Sequence, residues 1–167
     1  WRLSRLIVQP GKFITLEGGE GTGKSTLIGA LAEVLRGRGL DVLVTREPGG
    51  TPLAEAVRNL ALHPPEGQAW SPLAQALLMN AARLDHLERQ IRPALTAGSW
   101  VLCDRFADST RAYQSIDGVS MPVLLALESA VIGDTVPHLT LILDASPADL
   151  SARRIQRGVT DAFERMD

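Results

Sequence analysis

Apolar residues along this chain fall into two alternating patterns. Four short runs, Lys12 to Glu17, Asp41 to Thr45, Ser99 to Asp104 and Leu139 to Asp144, are apolar or β-branched on successive residues, as expected of strands covered on both faces. Between them the apolar residues recur at helical spacing, predicting helices over Ser25 to Arg36, Pro52 to about Leu62, Ser71-Pro72 to about Leu95, and Met121 to Ile132, with Pro147 opening another. In the long third helix Leu73, Leu77, Leu84, Leu87 and Ile91 share broadly one side, which predicts a core face. Gly37 to Gly39 and Gly98 close helices, and Pro48-Gly49-Gly50 breaks the chain into an irregular loop. Strand, helix and next strand in short succession make a βαβ unit. The fold class is therefore α/β, a mainly parallel sheet flanked by helices on both faces, with active groups at its carboxyl edge.

At that edge the first predicted strand runs into Gly18-Gly19-Glu20-Gly21-Thr22-Gly23-Lys24-Ser25-Thr26, a G-x-x-x-x-G-K-S loop. Its glycines let successive N–H groups turn inward as a nest for phosphate oxygens, and the next helix adds its positive N-terminal end. Lys24 is placed to reach the β- and γ-phosphates of a nucleoside triphosphate, and Ser25 to hold the accompanying Mg²⁺. The third strand ends in Asp104, a second expected metal contact, followed by Arg105, suited to phosphate oxygens; a plain salt bridge between the two is the alternative. Arg46, ending the second strand, is placed to reach an anion beside the loop, or else to form an exposed ion pair with Glu47. Local pattern alone puts Arg83 on the wet face of its helix, because a buried guanidinium needs a partner. His63, beside two prolines, reads as a solvated loop residue.

The chain has 167 residues, 45% of them hydrophobic, enough for one core; residues 1–11 are expected to be an extension and 12–167 one domain. A formal net charge of −2 offers no field for nucleic acid or an anionic membrane surface, so neither is expected as a partner. No apolar run reaches the roughly 18 residues of a membrane span. A lone cysteine, Cys103, within an apolar run fits a core position and a reducing compartment, so the cytoplasm is expected. The initial Trp1 suggests a processed or trimmed chain.

Taken together the motifs resemble those of the thymidylate kinases. The matching pieces are Leu16 to Thr26, the Thr45 to Pro52 loop, Ala81-Ala82-Arg83, Asp104-Arg105-Phe106, Ser109 to Gln114 and the Arg-rich segment ending in Arg157-Gly158. The resemblance implies a P-loop NTPase fold and Mg²⁺-dependent transfer of the ATP γ-phosphoryl group to dTMP. It implies that Gly18 to Thr26 bind ATP, that Glu20 meets the acceptor 3′-hydroxyl, and that Arg46 and Arg105 grip the acceptor phosphate. Pro48, Met79, Arg83, Gln114, Ser109 and Thr110 would line the base site, with Tyr113 against the sugar. Because position 21 is Gly, the transition-state arginine is expected from a lid spanning about 153–165, with Arg153, Arg154 and Arg157 as candidates, or else a solvated basic face. A homodimer is also implied. Met79 stands where the family usually has Phe, and Asp161-Ala162 where it has Asp-Arg; family chains continue through further elements, so a C-terminal part is expected beyond Asp167. Alternatives are a kinase for another nucleoside or nucleotide, a nucleotide-binding switch, or a homologue with weakened turnover.

Overall fold

A computed structural model of the chain describes residues 11–145. Strand β1 (Phe13–Glu17) leads through the glycine loop into α1 (Lys24–Gly37), followed by β2 (Val42–Arg46) and α2 (Pro52–Leu62). The long helix is α3 (Pro72–His86), a π-helical turn (Leu87–Ile91) and α4 (Arg92–Thr96). Then come β3 (Trp100–Asp104), α5 (Ala107–Ile116), α6 (Met121–Ile132) and β4 (Leu139–Ile142). All four strands thus differ from their sequence boundaries by one or two residues, as ladder ends fray.

All pairings are parallel and the spatial order is β2-β3-β1-β4. The register opposes Leu16 and Arg46 to Asp104, so the loop after β1, the Arg46 end of β2 and the Asp104-Arg105 step share one carboxyl edge. Successive strand residues serve opposite faces, as the pleat requires. Ile14, Leu16 and Leu102 pack under Ile28, Ala32 and Leu35 of α1. Phe13, Val101 and Cys103 pack under Leu87, Ile91, Phe106 and Ile132 on the other side. Cys103 is a core residue, as its setting predicted, and burial drives its thiol proton affinity up.

The long helix corrects two expectations. Leu73, Leu77 and Leu84 do not face the core: they are 45%, 49% and 37% exposed. The inward face carries Ala76, Met79, Asn80, Ala82, Arg83 and His86 instead. Periodicity marks an apolar stripe but not what covers it; here small residues admit α2, whose Ala54 and Ala61 are buried, and polar residues serve the site. The wider π turn then resets the helix phase, so Leu87 and Ile91 reach the core although Leu84 does not.

Candidate active site

The glycine loop closes around Lys24. Its ammonium donates to the carbonyls of Gly18 and Gly19, both at 2.9 Å, and Thr22 Oγ1 donates to Gly19 O at 2.9 Å. Gly18 has φ +134°, and a Cβ there would fall 2.2 Å from Leu143 O, so only glycine fits. Burial, and next the like charge of Arg105, push the proton affinity of Lys24 down. Asp104 Oδ1 stands 4.0 Å from Lys24 Nζ, and Ser25 Oγ is 3.5 Å from Oδ2. Oδ1 is buried without a hydrogen-bond partner among the described residues. A buried carboxylate oxygen with no donor, beside a hydroxyl and under a phosphate-binding loop, is a donor set that suits a hard divalent cation.

In front of the loop lies a cavity of about 160 Å³, lined by Glu20, Gly21, Gly23, Lys24, Ser25, Arg46, Glu47, Arg58, Asp104 and Arg105. Three guanidinium groups therefore face the loop's lysine across one space. Arg46 is largely exposed and pairs with Glu55 at 3.1 Å, not with Glu47 as the ion-pair alternative held. Burial acts to raise the Glu55 proton affinity, but the Gly50 N–H and Arg46 outweigh it, so the carboxylate is held low. Arg58 on α2 donates to Pro48 O at 3.0 Å. Arg105 sits at φ +67°, a left-handed backbone that costs a non-glycine residue roughly 1 kcal/mol or more. Its N–H donates to Leu16 O at 2.9 Å, its Nη1 to Ser109 Oγ at 3.2 Å, and its guanidinium lies 5.6 Å from the Tyr113 ring centre.

A second cleft opens beside Arg105, lined by Pro48, Met79, Arg83, Phe106, Ser109, Thr110, Tyr113 and Gln114. Arg83 is 4% exposed, which overturns the wet-face expectation: the partner it needs is Glu47, whose Oε2 accepts from Nε at 2.6 Å. Nη2 donates to Phe106 O at 3.1 Å and Thr110 Oγ1 at 2.9 Å. Gln114 Nε2 donates to Gln75 Oε1 at 3.3 Å. Ser109 also donates to Glu17 Oε2 at 2.6 Å, so its hydroxyl links the β1 end to the Arg105 turn.

Thus every expected loop, metal and acceptor-site residue from Gly18 to Gln114 lies along one sheet edge, except that Thr26 is exposed on the first turn of α1. Arg153, Arg154 and Arg157, with Asp161 and Ala162, lie outside the described residues. His63 is exposed at the end of α2, as expected. Three residues of the site escaped the sequence reading. Arg58 carried no signal beyond its place two turns into a helix that begins at this edge. Glu17 did: like Asp104 it is a carboxylate closing a strand, and it accepts from the Phe106 N–H at 2.7 Å. Burial raises its proton affinity against the pull of Ser109 and that N–H. His86 lay on the long helix and showed nothing local.

A glycine loop for a triphosphate at the edge of a parallel sheet, faced by arginines and joined to a second cleft of mixed polar and apolar lining, defines an ATP-dependent phosphotransferase of the nucleoside monophosphate kinase class. The comparisons make this specific. The thymidylate kinase family model matches residues 16–167. A thymidylate kinase of Caulobacter vibrioides is 56% identical over 92% of this chain and 74% of its own length. One from Rhizorhabdus wittichii is 51% identical over 95% of this chain and 77% of its own. A crystal structure of thymidylate kinase from Ehrlichia chaffeensis superposes with a TM-score of 0.72 at 35% identity, covering 95% of this chain and 81% of that one. The chain belongs to the thymidylate kinase family, whose reaction is the ATP-dependent phosphorylation of dTMP to dTDP.

Proposed function

We propose that this chain carries out that reaction with the phosphate loop as donor site, the arginine-faced cavity as the meeting point of the two phosphates, and the Arg83 cleft as the thymine site. The observation that carries the reading is the continuity of the cavity with the cleft: Glu47 and Arg105 line both. In this reading Gly18 to Thr26 bind ATP, with Lys24 on its outer phosphates. Arg46, Arg58 and Arg105 hold the acceptor phosphate, and Glu20, at the cavity mouth, meets the sugar 3′-hydroxyl. Arg83, Gln114, Thr110 and Ser109 supply polar contacts to the base, Met79 and Pro48 pack on its faces, and Tyr113 closes the sugar side. The thioether of Met79 replaces ring stacking by a softer contact.

The acceptor phosphate is already ionised, so no side chain must remove a proton. Its oxygen attacks in line, and the protein's contribution is position and charge neutralisation. Arginine suits the task because its planar fork binds phosphate oxygens bidentately. Mg²⁺ fits Ser25 and Asp104, whose buried Oδ1 accepts no hydrogen bond among the described residues; bound there, it supplies further neutralisation of the phosphates. Residues from 12 onward form one kinase domain, and the lid arginines Arg153, Arg154 and Arg157 complete its charge.

We also place the enzyme in the cytoplasm as a homodimer. No helix among the described residues is long and apolar enough to cross a membrane. The exposed leucines of α3, with Leu53 and Leu60 of α2, form the kind of apolar surface that a second copy would cover.

ADP release with ATP and Mg²⁺ tests the reading, comparing dTMP, dUMP, dCMP and no acceptor. Release that depends on dTMP and falls well below it with dCMP is expected. Equal turnover of dCMP, or acceptor-independent hydrolysis alone, would overturn the thymine assignment.

A further inference from the structure

Arg83 ends a buried polar chain that the reaction itself does not call for. Glu47 is 3% exposed and His86 0%, both between β2 and α3. Glu47 Oε2 accepts from Arg83 Nε at 2.6 Å, while Oε1 lies 3.2 Å from His86 Nδ1. The other imidazole nitrogen, Nε2, is 2.7 Å from Thr45 Oγ1, which is itself 3.2 Å from Gln90 Oε1. An ionised carboxylate only accepts, so Nδ1 must carry the proton and donate. Gly50 seals the arrangement: a Cβ there would stand 2.3 Å from Nε2.

We propose that His86 is a positioning residue for base recognition, acting through Glu47 to hold the Arg83 guanidinium in the one orientation that reads a keto pyrimidine. The inference rests on the reading of Arg83 as the residue that meets the base. Its physical content is a count of donors. Arg83 has five N–H groups. Glu47, Phe106 O, Thr110 and, at 3.4 Å, Asn80 Oδ1 take four of them, which leaves one on Nη1. A single spare donor favours a carbonyl oxygen, as thymine presents, over the amino group of cytosine. A carboxylate facing a guanidinium tends to turn and grip it with both oxygens. His86 prevents this by occupying Oε1. Without that bond Glu47 would turn to take an Nη2 donor in competition with Phe106 O and Thr110, and the guanidinium would rotate, moving its spare Nη1 donor off the base.

The test is steady-state kinetics of the full chain with dTMP, dCMP and ATP as varied substrates, on His86→Gln and His86→Asn. The amide of Asn reaches where Nδ1 stands and keeps the donor to Glu47; that of Gln reaches the Nε2 position and does not. H86Q is expected to raise the KM for dTMP about tenfold, the order of loss that follows a sub-ångström misplacement, with the ATP KM within about twofold. It should also narrow the preference for dTMP over dCMP, and H86N should stay near the parent on both counts. Equal behaviour of H86Q and H86N, or KM values for both substrates rising together, would overturn the proposal and leave a structural histidine. If H86Q does not fold, Thr45→Val, which frees Nε2, is expected to shift the dTMP KM in the same direction by less; no shift would overturn it. Arg83→Gln separates the two inferences. An unchanged dTMP KM in R83Q removes the base-reading role itself, whereas a raised KM in R83Q without one in H86Q removes only the part given to His86.

Discussion

Lys24 meets opposing demands in the free enzyme. It is buried, held by two carbonyls, and pushed toward losing its proton by burial and by Arg105. A triphosphate supplies the negative charge that reverses this, so part of the binding energy of ATP restores the lysine. Lys24→Ala should lower kcat by roughly 10²–10³-fold or more, as loss of a preorganised transition-state donor does. It should also abolish the rise in melting temperature on adding ATP; scanning calorimetry that finds the parent's shift in the variant would refute the assignment. Glu17 gives a pH prediction. Its proton affinity in the fold lies above the ordinary 4.5 because burial outweighs its two hydrogen bonds. As pH rises through 4.5 the unfolded chain releases this proton first, the folded state holds more protons, and stability from this group is lost up to its folded value. In Glu17→Gln that loss disappears. Urea unfolding from pH 4 upward should therefore show the variant gaining on the parent as pH rises, and a pH-independent difference would contradict the sign.

At the scale of elements, the loop from Arg46 to Pro52 joins the strand edge to the helix that carries Arg58. Thr51 caps α2, accepting the Ala54 N–H at 3.1 Å and donating to Asp85 on α3, so one hydroxyl fixes the helix start and ties two helices. Thr51→Ala should cost about 1–2 kcal/mol in chemical denaturation, the upper range for a helix cap, and raise the dTMP KM more than the ATP KM. Gly50→Ala should act similarly from the other side of the loop: at φ +89° a side chain is strained by roughly 1–2 kcal/mol, and the methyl would collide with His86. The four strands and α1, α2, α3 and α6 were legible in the sequence because each rests on local rules: apolar runs for strands, proline at the first turn of α2, α3 and α6, glycine after the last turn of α1 and α6; α5 was not, because Asp108 to Gln114 is a polar run with no apolar stripe to mark it. The phosphate loop was legible because its spacing is the function. What stayed hidden was the direction of α3. Its leucine stripe was as regular as a core stripe, and only the packing of α2 and the needs of Arg83 decide which side faces in. The Glu47–His86 chain was hidden for the same reason: it joins Thr45 and Glu47 on one element to Arg83, His86 and Gln90 on another, about 40 residues away, and only the packing of the two brings them together.

For the whole molecule the outward face of α3 sets the remaining question, because Leu73, Leu77 and Leu84 spread large apolar groups over a helix whose other side holds the base cleft. Leaving such a stripe in water forgoes the gain of burying it, about 25 cal/mol per Å². A second copy packed on this face would recover that gain by a symmetric contact, and it would also stiffen the helix that presents Met79 and Arg83. Sedimentation equilibrium at micromolar concentration should then give twice the 18.0 kDa chain mass. Leu77→Glu with Leu84→Glu should give the single-chain mass with an unchanged far-ultraviolet spectrum, since both side chains already point outward. The monomer should bind ATP as the parent does, because the phosphate loop is held by β1 and by α1, which packs on the opposite face of the sheet, but its dTMP KM should rise as α3 loses support. A parent chain that sediments as a monomer at every concentration would remove the dimer, and a dissociated variant with an unchanged dTMP KM would sever the outer face of α3 from the site it backs.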